Sequence, residues 1–282
     1  MSRHLNVACL QLVPRATMSE ALDDAVALAD EAVGGGAQML FLPEFCGGLA
    51  TQGAAVVPPS APEAQHPFLA AMQEFAARRG VWINLGSIAV EGPNGRILNR
   101  GIMLSDGGQI TGRYDKIHLF DIQLSQTEIY RESARVSAGN RAVIHDTKLA
   151  RIGHTICYDL RFPGLFRRLA QGGAEILCCP AAFTQKTGAA HWHILNRARA
   201  IETTRFVISP GMVGPVPGGG ETYGHSLIVD PWGVVLGDGG GDGACVVAAR
   251  IDLDMVGQSA ARIPSLANEQ AFDLEIVDAT DA

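Results

Sequence analysis

Residues 151–178 read RIGHTICYDLRFPGLFRRLAQGGAEILC and contain a complete strand, helix and second strand. Arg151–Ile156 is an apolar run rich in β-formers, which predicts a strand. Pro163–Gln171 is predicted to be a helix, because proline occupies its first turn and glycine follows its last. Glu175–Cys178 is the next predicted strand. Cys157 therefore lies at the end of a strand, on the turn that leads to a helix.

The same alternation extends along the chain in both directions. Strands are predicted at His4–Leu12, Gln38–Leu42, Val81–Ile88 and Arg205–Ser209, and helices at 17–33, Gln65–Arg79 and Ala189–Thr203. Turn residues at 92–96 and 230–233 predict two hairpins, so the sheet is mixed. This pattern is typical of an α/β protein with sheets covered by helices. No break in composition marks a boundary, so residues 1–282 are predicted to form a single domain.

The composition argues against several classes of partner. The 282 residues include 22 basic and 29 acidic ones, for a formal net charge of −7, and the basic residues are scattered. That distribution argues against a nucleic-acid surface. No apolar run approaches the ~20 residues of a membrane span, and residues 1–9 lack the pattern of a secretory signal. The glycine-rich segments lack the lysine and hydroxyl of a phosphate loop, so no nucleotide cofactor is expected.

The six cysteines indicate a reducing compartment and one candidate nucleophile. They include no C-x-x-C pair, which favours a cytoplasmic protein with free thiols. Cys46 has only a carboxylate nearby, and four others lie in apolar segments predicted to be strands: Cys9, Cys178, Cys179 and Cys245. Cys157 is the best candidate, because on a tight turn its sulfur can protrude while a backbone N–H binds an oxyanion. A buried packing cysteine is the alternative interpretation.

Two charged residues could assist a nucleophile. Glu44 directly follows the apolar run Gln38–Leu42, and a carboxylate at such a strand end can take and return a proton. A helix cap or a solvated loop charge is the alternative. Lys116 lies among aromatic and apolar residues in 113–121, RYDKIHLFD, which is unusual for a solvated lysine. A fixed ammonium there could stabilise an oxyanion, although a structural ion pair gives the same pattern.

Three motifs occur in the order typical of one superfamily. They are Leu42-Pro43-Glu44, Tyr114-Asp115-Lys116-Ile117-His118-Leu119 and Ile156-Cys157-Tyr158-Asp159. With them, the chain resembles the nitrilase superfamily of carbon-nitrogen hydrolases over nearly its whole length. Six further segments resemble its Nit branch, which contains ω-amidases and deaminated-glutathione amidases. They are 159–163 (DLRFP), 180–184 (PAAFT), 187–188 (TG), 190–192 (AHW), 197–202 (RARAIE) and 223–233 (YGHSLIVDPWG).

The resemblance implies a fold and a set of roles. The expected fold is a four-layer α-β-β-α sandwich, assembled as a homodimer. Cys157 would be the nucleophile, Glu44 the general base and Lys116 the oxyanion stabiliser, with the backbone N–H of Tyr158 assisting. Glu132 matches the additional glutamate that positions substrate and Lys116. The implied reaction passes through a thioester and requires no metal or cofactor.

Three more residues lie in motifs that border the substrate pocket in the Nit branch: Arg161, Phe183 and Thr187. An arginine fork suits the carboxylate of an α-keto acid, whereas an ion pair between Asp159 and Arg161 is the structural alternative. Deaminated glutathione and ω-amides of α-keto acids are therefore the expected substrates, ahead of N-carbamoyl amino acids and nitriles. A non-catalytic binding module that kept the fold, and a thiol-redox protein, are the other classes considered.

Some positions depart from the commonest Nit pattern. Gly164 and His193 stand where glutamate is frequent, and residues 263–270 lack the paired arginines that are common there. His191 and His193 also suggest a metal site. Positions two apart on a helix point to different faces, however, so no metal site is predicted from this pair.

Overall fold

The computed structural model describes residues 3–53, 55–126 and 129–277. Five α-helices occur in this part of the chain: α1 Met18–Gly34, α2 Pro67–Arg79, α3 Pro163–Gln171, α4 Gln185–Thr203 and α5 Asp254–Arg262. None of the described helices combines the length and apolar character needed to cross a bilayer. Short 3-10 turns lie at Glu63–Gln65, Pro93–Gly95, Glu132–Ala134 and Cys157–Arg161.

Nineteen strands occur in the described part of the chain. The first ten strands are β1 His4–Gln11, β2 Met39–Phe41, β3 Thr51–Gln52, β4 Ala55–Val56, β5 Trp82–Asn84, β6 Ile88–Glu91, β7 Ile97–Leu104, β8 Ile110–Asp115, β9 Asp121–Gln123 and β10 Ile129–Arg131. The remaining nine are β11 Val143–Asp146, β12 Arg151–His154, β13 Ile176–Cys178, β14 Phe206–Ser209, β15 Val213–Pro215, β16 Glu221–Tyr223, β17 Leu227–Val229, β18 Val235–Asp238 and β19 Cys245–Asp252.

Two large mixed sheets form the centre of the molecule. The first has the order β19-β1-β2-β5-β7-β6, with β8 paired to β7, and the second has the order β11-β12-β13-β14-β17-β18. In each sheet the central pairs are parallel, β1–β2–β5 in the first and β12–β13–β14 in the second, and the outer pairs are antiparallel. Parallel strands place their carboxyl ends along one edge, where α/β proteins hold their ligands.

Three separate apolar cores define the layers. The first lies between the first sheet and helices α1 and α2, the second between the two sheets, and the third between the second sheet and helices α3 and α4. Alternate residues of a strand face opposite sides, so Cys178 packs between the sheets whereas Cys179 packs under the helices. The predicted four-layer α-β-β-α sandwich is therefore confirmed.

The main differences from the predicted elements have local causes. Helix α4 begins four residues before the predicted start, because the Thr184 side chain caps it by accepting from the N–H of Thr187. The predicted strand Val81–Ile88 is split into β5 and β6 at Gly86, whose φ is +55°. An ideal Cβ on Gly86 would lie 2.0 Å from the carbonyl oxygen of Leu42. Glycine is thus required where this backbone passes the segment that carries Glu44.

A histidine pair inside the second sheet makes the fold sensitive to acid. His145 Nε2 lies 3.1 Å from His154 Nδ1, and both rings are buried. Burial lowers the pKa of His145 to about 4 and that of His154 to about 3. In the unfolded chain these two histidines bind protons below about pH 6.5, whereas in the folded protein they remain neutral until about pH 4. Acidification from pH 6.5 to 4 therefore favours unfolding.

We therefore expect the free energy of unfolding to fall between pH 7 and 4.5, with each histidine contributing on the order of 2 kcal/mol. The variant His145→Gln removes one titrating ring. Its free energy of unfolding should therefore fall by about 2 kcal/mol less than that of the parent between pH 7 and 4.5. Urea unfolding at both pH values measures this difference, with the exposed His191→Gln as the matched control. Equal pH dependence in His145→Gln and the parent protein would contradict the assignment.

Candidate active site

Two turns, one from each sheet, carry the candidate residues. Glu44 lies three residues after β2, on a turn that Ser87 holds in place. The Ser87 hydroxyl accepts a hydrogen bond from the Phe45 N–H at 3.0 Å, and the Ser87 carbonyl accepts one from the Cys46 N–H at 2.9 Å. Phe45 has a φ of +53°, a left-handed conformation that bulky residues rarely adopt. The backbone therefore turns sharply at this point and leaves the Glu44 carboxylate buried.

The turn that carries Cys157 is equally constrained. Cys157 has a φ of +50°, and its N–H donates to the carbonyl of Pro180 at 2.8 Å. The buried Asp159 carboxylate accepts from the Ile156 N–H at 2.8 Å and from the Tyr114 hydroxyl at 2.6 Å. These contacts fix the strand-to-helix turn that the sequence predicted. Strained backbone held by surrounding contacts is frequent at functional sites.

Lys116 joins two buried carboxylates. Its Nζ lies 2.8 Å from Glu44 Oε1 and 2.8 Å from Glu132 Oε2, and the three side chains are 2–4% exposed. Burial lowers the pKa of Lys116, but the negative charges of Glu132 and Glu44 outweigh it and raise the pKa well above its ordinary value. The ammonium is therefore charged at any physiological pH, in a position fixed by two ion pairs.

Sequence reasoning missed a fourth member of this cluster, Asn99. The Asn99 Nδ2 donates to Glu44 Oε1 at 2.8 Å and to Glu132 Oε1 at 3.0 Å, and the Asn99 carbonyl accepts from the Lys116 N–H at 3.0 Å. An amide that donates to both carboxylates offsets part of their mutual repulsion. The only sequence signal is a polar residue on a buried strand, which does not reveal its partners.

Replacing Asn99 by leucine should disturb both stability and activity. The substitution keeps the volume but removes one donor from each of the two buried carboxylates, at about 1.5–3 kcal/mol for each charged hydrogen bond. We expect the free energy of unfolding to fall by about 3 kcal/mol and kcat to fall about tenfold or more, as Glu44 loses its fixed orientation. Urea unfolding and steady-state kinetics measure the two effects. Unchanged kcat in a folded Asn99→Leu protein would exclude a positioning role.

The Cys157 thiol faces Glu44 and Lys116 at the bottom of the same site. Burial raises the pKa of Cys157 well above its ordinary value, the Glu44 charge and a hydrogen bond to Glu44 raise it further, and the Lys116 charge opposes them. The thiol is therefore protonated at neutral pH. A nucleophilic thiolate requires proton transfer to a neighbouring base, and Glu44 is the carboxylate in hydrogen-bond contact.

A cavity opens onto these groups. Its volume is about 80 Å³. Glu44, Lys116, Glu132 and Cys157 all line it. Its other walls are mostly apolar or backbone, with hydroxyls from Thr51, Tyr130, Thr184 and Thr222 and one further carboxylate from Glu221. A small amide with polar ends suits such a lining.

The structure does not bring the other predicted substrate-positioning residues to the lining of this cavity. Tyr158, Arg161, Phe183 and Thr187 do not appear among the described residues that line the cavity, although Ala182 and Thr184, which flank Phe183, do. The Arg161 guanidinium carbon lies 5.4 Å from the Phe183 ring centre and 5.9 Å from that of Tyr158. Arg161 Nη1 is also 3.3 Å from His191 Nδ1, whereas Asp159 is engaged by Tyr114 and His118.

Comparison with known proteins shows the family. The family model described as carbon-nitrogen hydrolase matches residues 6–261. The chain belongs to the carbon-nitrogen hydrolase family. It is accordingly a hydrolase of carbon-nitrogen bonds other than peptide bonds, as its motifs predicted.

Individual relatives place this hydrolase in the Nit branch. The chain is 39% identical over 264 residues to a deaminated glutathione amidase of Synechocystis sp., covering 92% of this chain and 96% of the relative. Among solved structures, the C. elegans NitFhit protein is 28% identical with a TM-score of 0.87, covering 95% of this chain and 66% of that longer chain. Saccharomyces cerevisiae Nit3, a member of branch 10 of the nitrilase superfamily, is 25% identical with a TM-score of 0.82. The match covers 94% of this chain and 96% of Nit3. The predicted resemblance is thus confirmed.

Proposed function

We propose that this hydrolase is an amidase that cleaves a small carboxylated amide through a thioester on Cys157. The observation that carries the proposal is that Glu44, Lys116 and Cys157 line one cavity, where the Lys116 ammonium lies 2.8 Å from Glu44. Deaminated glutathione is the leading substrate, because the Synechocystis relative bears that name. An ω-amide of an α-keto acid is the second member of the same substrate class.

The geometry supports a two-stage mechanism. As the Cys157 sulfur attacks the amide carbon, the thiol proton passes to Glu44. The carbonyl oxygen becomes an oxyanion, which the Lys116 ammonium stabilises together with the N–H of Tyr158, since the first N–H groups of a helical turn lack partners within it. Glu44 then returns the proton to the leaving nitrogen, and the C–N bond breaks to give ammonia or an amine and a thioester.

The second stage uses the same groups in reverse. Glu44 takes a proton from water, and the resulting hydroxide attacks the thioester carbon. The acid product leaves as the C–S bond breaks and the proton returns to the sulfur. Glu132 holds Lys116 at 2.8 Å throughout, so the ammonium need not reorganise between the two stages. The chain supplies each proton acceptor that these steps need.

Arg161 remains the proposed partner of the substrate carboxylate. Arg161→Met should raise KM about tenfold or more for a carboxylated amide, which is the value of one charged hydrogen bond. The same substitution should leave KM almost unchanged for the matching methyl ester, which lacks the negative charge. Steady-state kinetics with both compounds make the comparison. An equal change for both would show that Arg161 acts only through packing against Phe183.

A homodimer belongs to the same proposal. Exposed apolar side chains from α4 and from the β17–β18 hairpin lie together, since Arg197 Nε donates to the Gly233 carbonyl at 2.8 Å. They are Ile194, Ile201, Trp232, Val234 and Leu236. An apolar face of this kind suits a second copy of the chain. Analytical ultracentrifugation at micromolar concentration should give twice the mass of one chain. The mass of a single chain would contradict the proposed homodimer.

Two further assignments complete the proposal. One domain is supported by the site itself, because Glu44 comes from the first sheet and Cys157 from the second. A cytoplasmic location is supported by the six free cysteines, five of them buried.

A substrate panel tests the proposed activity. The protein is incubated with deaminated glutathione, α-ketoglutaramate, N-carbamoyl amino acids and simple nitriles, and both the acid and the released ammonia or amine are measured. Cys157→Ala serves as the blank. Turnover of either of the first two compounds supports the proposal. Turnover confined to carbamoyl compounds or nitriles, or none at all, contradicts it.

A further inference from the structure

Three side chains far apart in sequence meet on one surface away from the cavity. His193 lies in the middle of α4, His225 lies between β16 and β17, and Asp238 ends β18. His193 Nε2 is 2.9 Å from Asp238 Oδ2, and His225 Nδ1 is 2.9 Å from Asp238 Oδ1. One nitrogen from each ring and one carboxylate oxygen all lie within 4.8 Å of one another. We call these three residues the His-Asp-His cluster.

The His225 ligand is held in place by several contacts. Its φ is +52°, a left-handed conformation in which a non-glycine residue is uncommon. The Trp192 indole donates to its carbonyl at 2.7 Å, and its own N–H donates to the Gly240 carbonyl at 2.7 Å. The Tyr223 ring stacks on its imidazole with 4.4 Å between ring centres. Packing therefore fixes this ring, and left-handed strain held by its surroundings is frequent at ligand sites.

The donor set has the chemistry of a zinc ligand set. Zinc binds histidine nitrogen and carboxylate oxygen at about 2.0–2.2 Å in a tetrahedron, which places neighbouring donors about 3.3 Å apart. The two histidines contact different oxygens of Asp238 at 2.9 Å, and one donor atom from each of the three side chains lies within 4.8 Å of the others, so the donors are already close to that spacing. The three side chains are 25–35% exposed, so water can reach the fourth position.

We propose that His193, His225 and Asp238 bind a divalent transition-metal cation, with zinc as the best-fitting ion. The sequence pattern paired His193 with His191, which lies on another face of α4. The structure pairs it instead with two residues that are 32 and 45 positions further along the chain. The described residues that line the cavity do not include His193, His225 or Asp238. The site is therefore structural and does not depend on the proposed amidase activity.

A bound ion would fasten one wall of the cavity. It would tie α4 to the segment that follows β16, and β16 contributes Glu221 and Thr222 to the cavity lining. Tyr223 of β16 already packs on α4, where an added Cβ on Gly188 would meet its ring at 2.3 Å. An ion bound only to the folded state at 100 times its Kd adds about 2.7 kcal/mol to the free energy of unfolding.

Calorimetric titration of the full chain with zinc, after chelator treatment and dialysis, tests the proposal. We expect one equivalent to bind, and thermal unfolding to move to higher temperature. Removing a residue that only hydrogen-bonds to a metal ligand weakens metal binding about 10–100-fold. The variants His193→Gln and Asp238→Asn each remove a ligand itself, so they should weaken zinc binding by at least that factor. The control is His191→Gln, which removes a histidine from the same helix but not from the cluster.

A second measurement separates this site from the Cys157 thiol. Cobalt bound by the His-Asp-His cluster should show no thiolate charge-transfer band and should bind equally well to Cys157→Ala. A thiolate band, loss of binding in Cys157→Ala, or the same affinity in His193→Gln and the parent would overturn the proposal. Binding of less than about a tenth of an equivalent would show that the three side chains only hydrogen-bond to one another.

Discussion

Cys157→Ala is expected to lower kcat/KM for amide hydrolysis by on the order of 10⁶-fold, the scale of nucleophile removal in other covalent hydrolases. The reason is structural: the described chain places no other thiol on the cavity wall. Cys9, Cys46, Cys178 and Cys179 are fully buried, and burial raises the pKa of each thiol.

The control for this prediction is Cys178→Ala. Cys178 is as buried as Cys157, but it lies in the core between the sheets. Its replacement should cost some stability and leave kcat/KM within a few-fold of the parent. Activity is measured by release of ammonia or amine under identical conditions. Turnover by Cys157→Ala above about one hundredth of the parental rate would exclude the thiol as the nucleophile.

Replacing Lys116 by methionine should reduce kcat/KM by about 10³-fold, since the loss of one oxyanion donor costs about 10²–10³ and Lys116 also orders Glu44. It should also destabilise the protein by about 3–5 kcal/mol, because Glu44 and Glu132 become buried charges without a counter-ion. Loss of activity alone would therefore not distinguish a catalytic role from misfolding.

The double variant Lys116→Met, Glu132→Gln separates the two effects. It removes one negative charge together with the positive one, so much of the lost stability should return, as measured by urea unfolding. The activity should not return, because no ammonium remains near the oxyanion. Recovery of kcat/KM along with stability would mean that Lys116 only balances charge.

Local patterns predicted the elements that bear the candidate residues. The helix Pro163–Gln171 was predicted with its observed bounds, and the predicted helix Gln65–Arg79 begins only two residues before α2. These succeeded because proline, glycine and the spacing of apolar residues act over a few positions. Glu44 and Cys157 could be placed at strand ends for the same reason, whereas their meeting in one cavity was inferred from family resemblance.

Contacts between distant segments were not predictable from local patterns. β19 pairs with β1 across more than 230 residues, and its mixture of buried and exposed positions gives little periodic signal. Asn99 joins Glu44 and Glu132 only because β7 runs beside both segments. The His-Asp-His cluster was missed for the same reason, as its three residues share no sequence spacing. Helix α5 is short and contains a glycine, which weakens its helical pattern.

The proposed mechanism passes through a covalent thioester on Cys157, and partitioning of the acyl group between water and hydroxylamine reveals that intermediate. Hydroxylamine added during turnover should capture the acyl group as a hydroxamate. If every substrate with the same acyl group passes through one thioester, the ratio of hydroxamate to acid must be the same whether ammonia or a larger amine leaves. We expect that constant ratio. A ratio that changes with the leaving amine, or hydrolysis without hydroxamate at any hydroxylamine concentration, would contradict it.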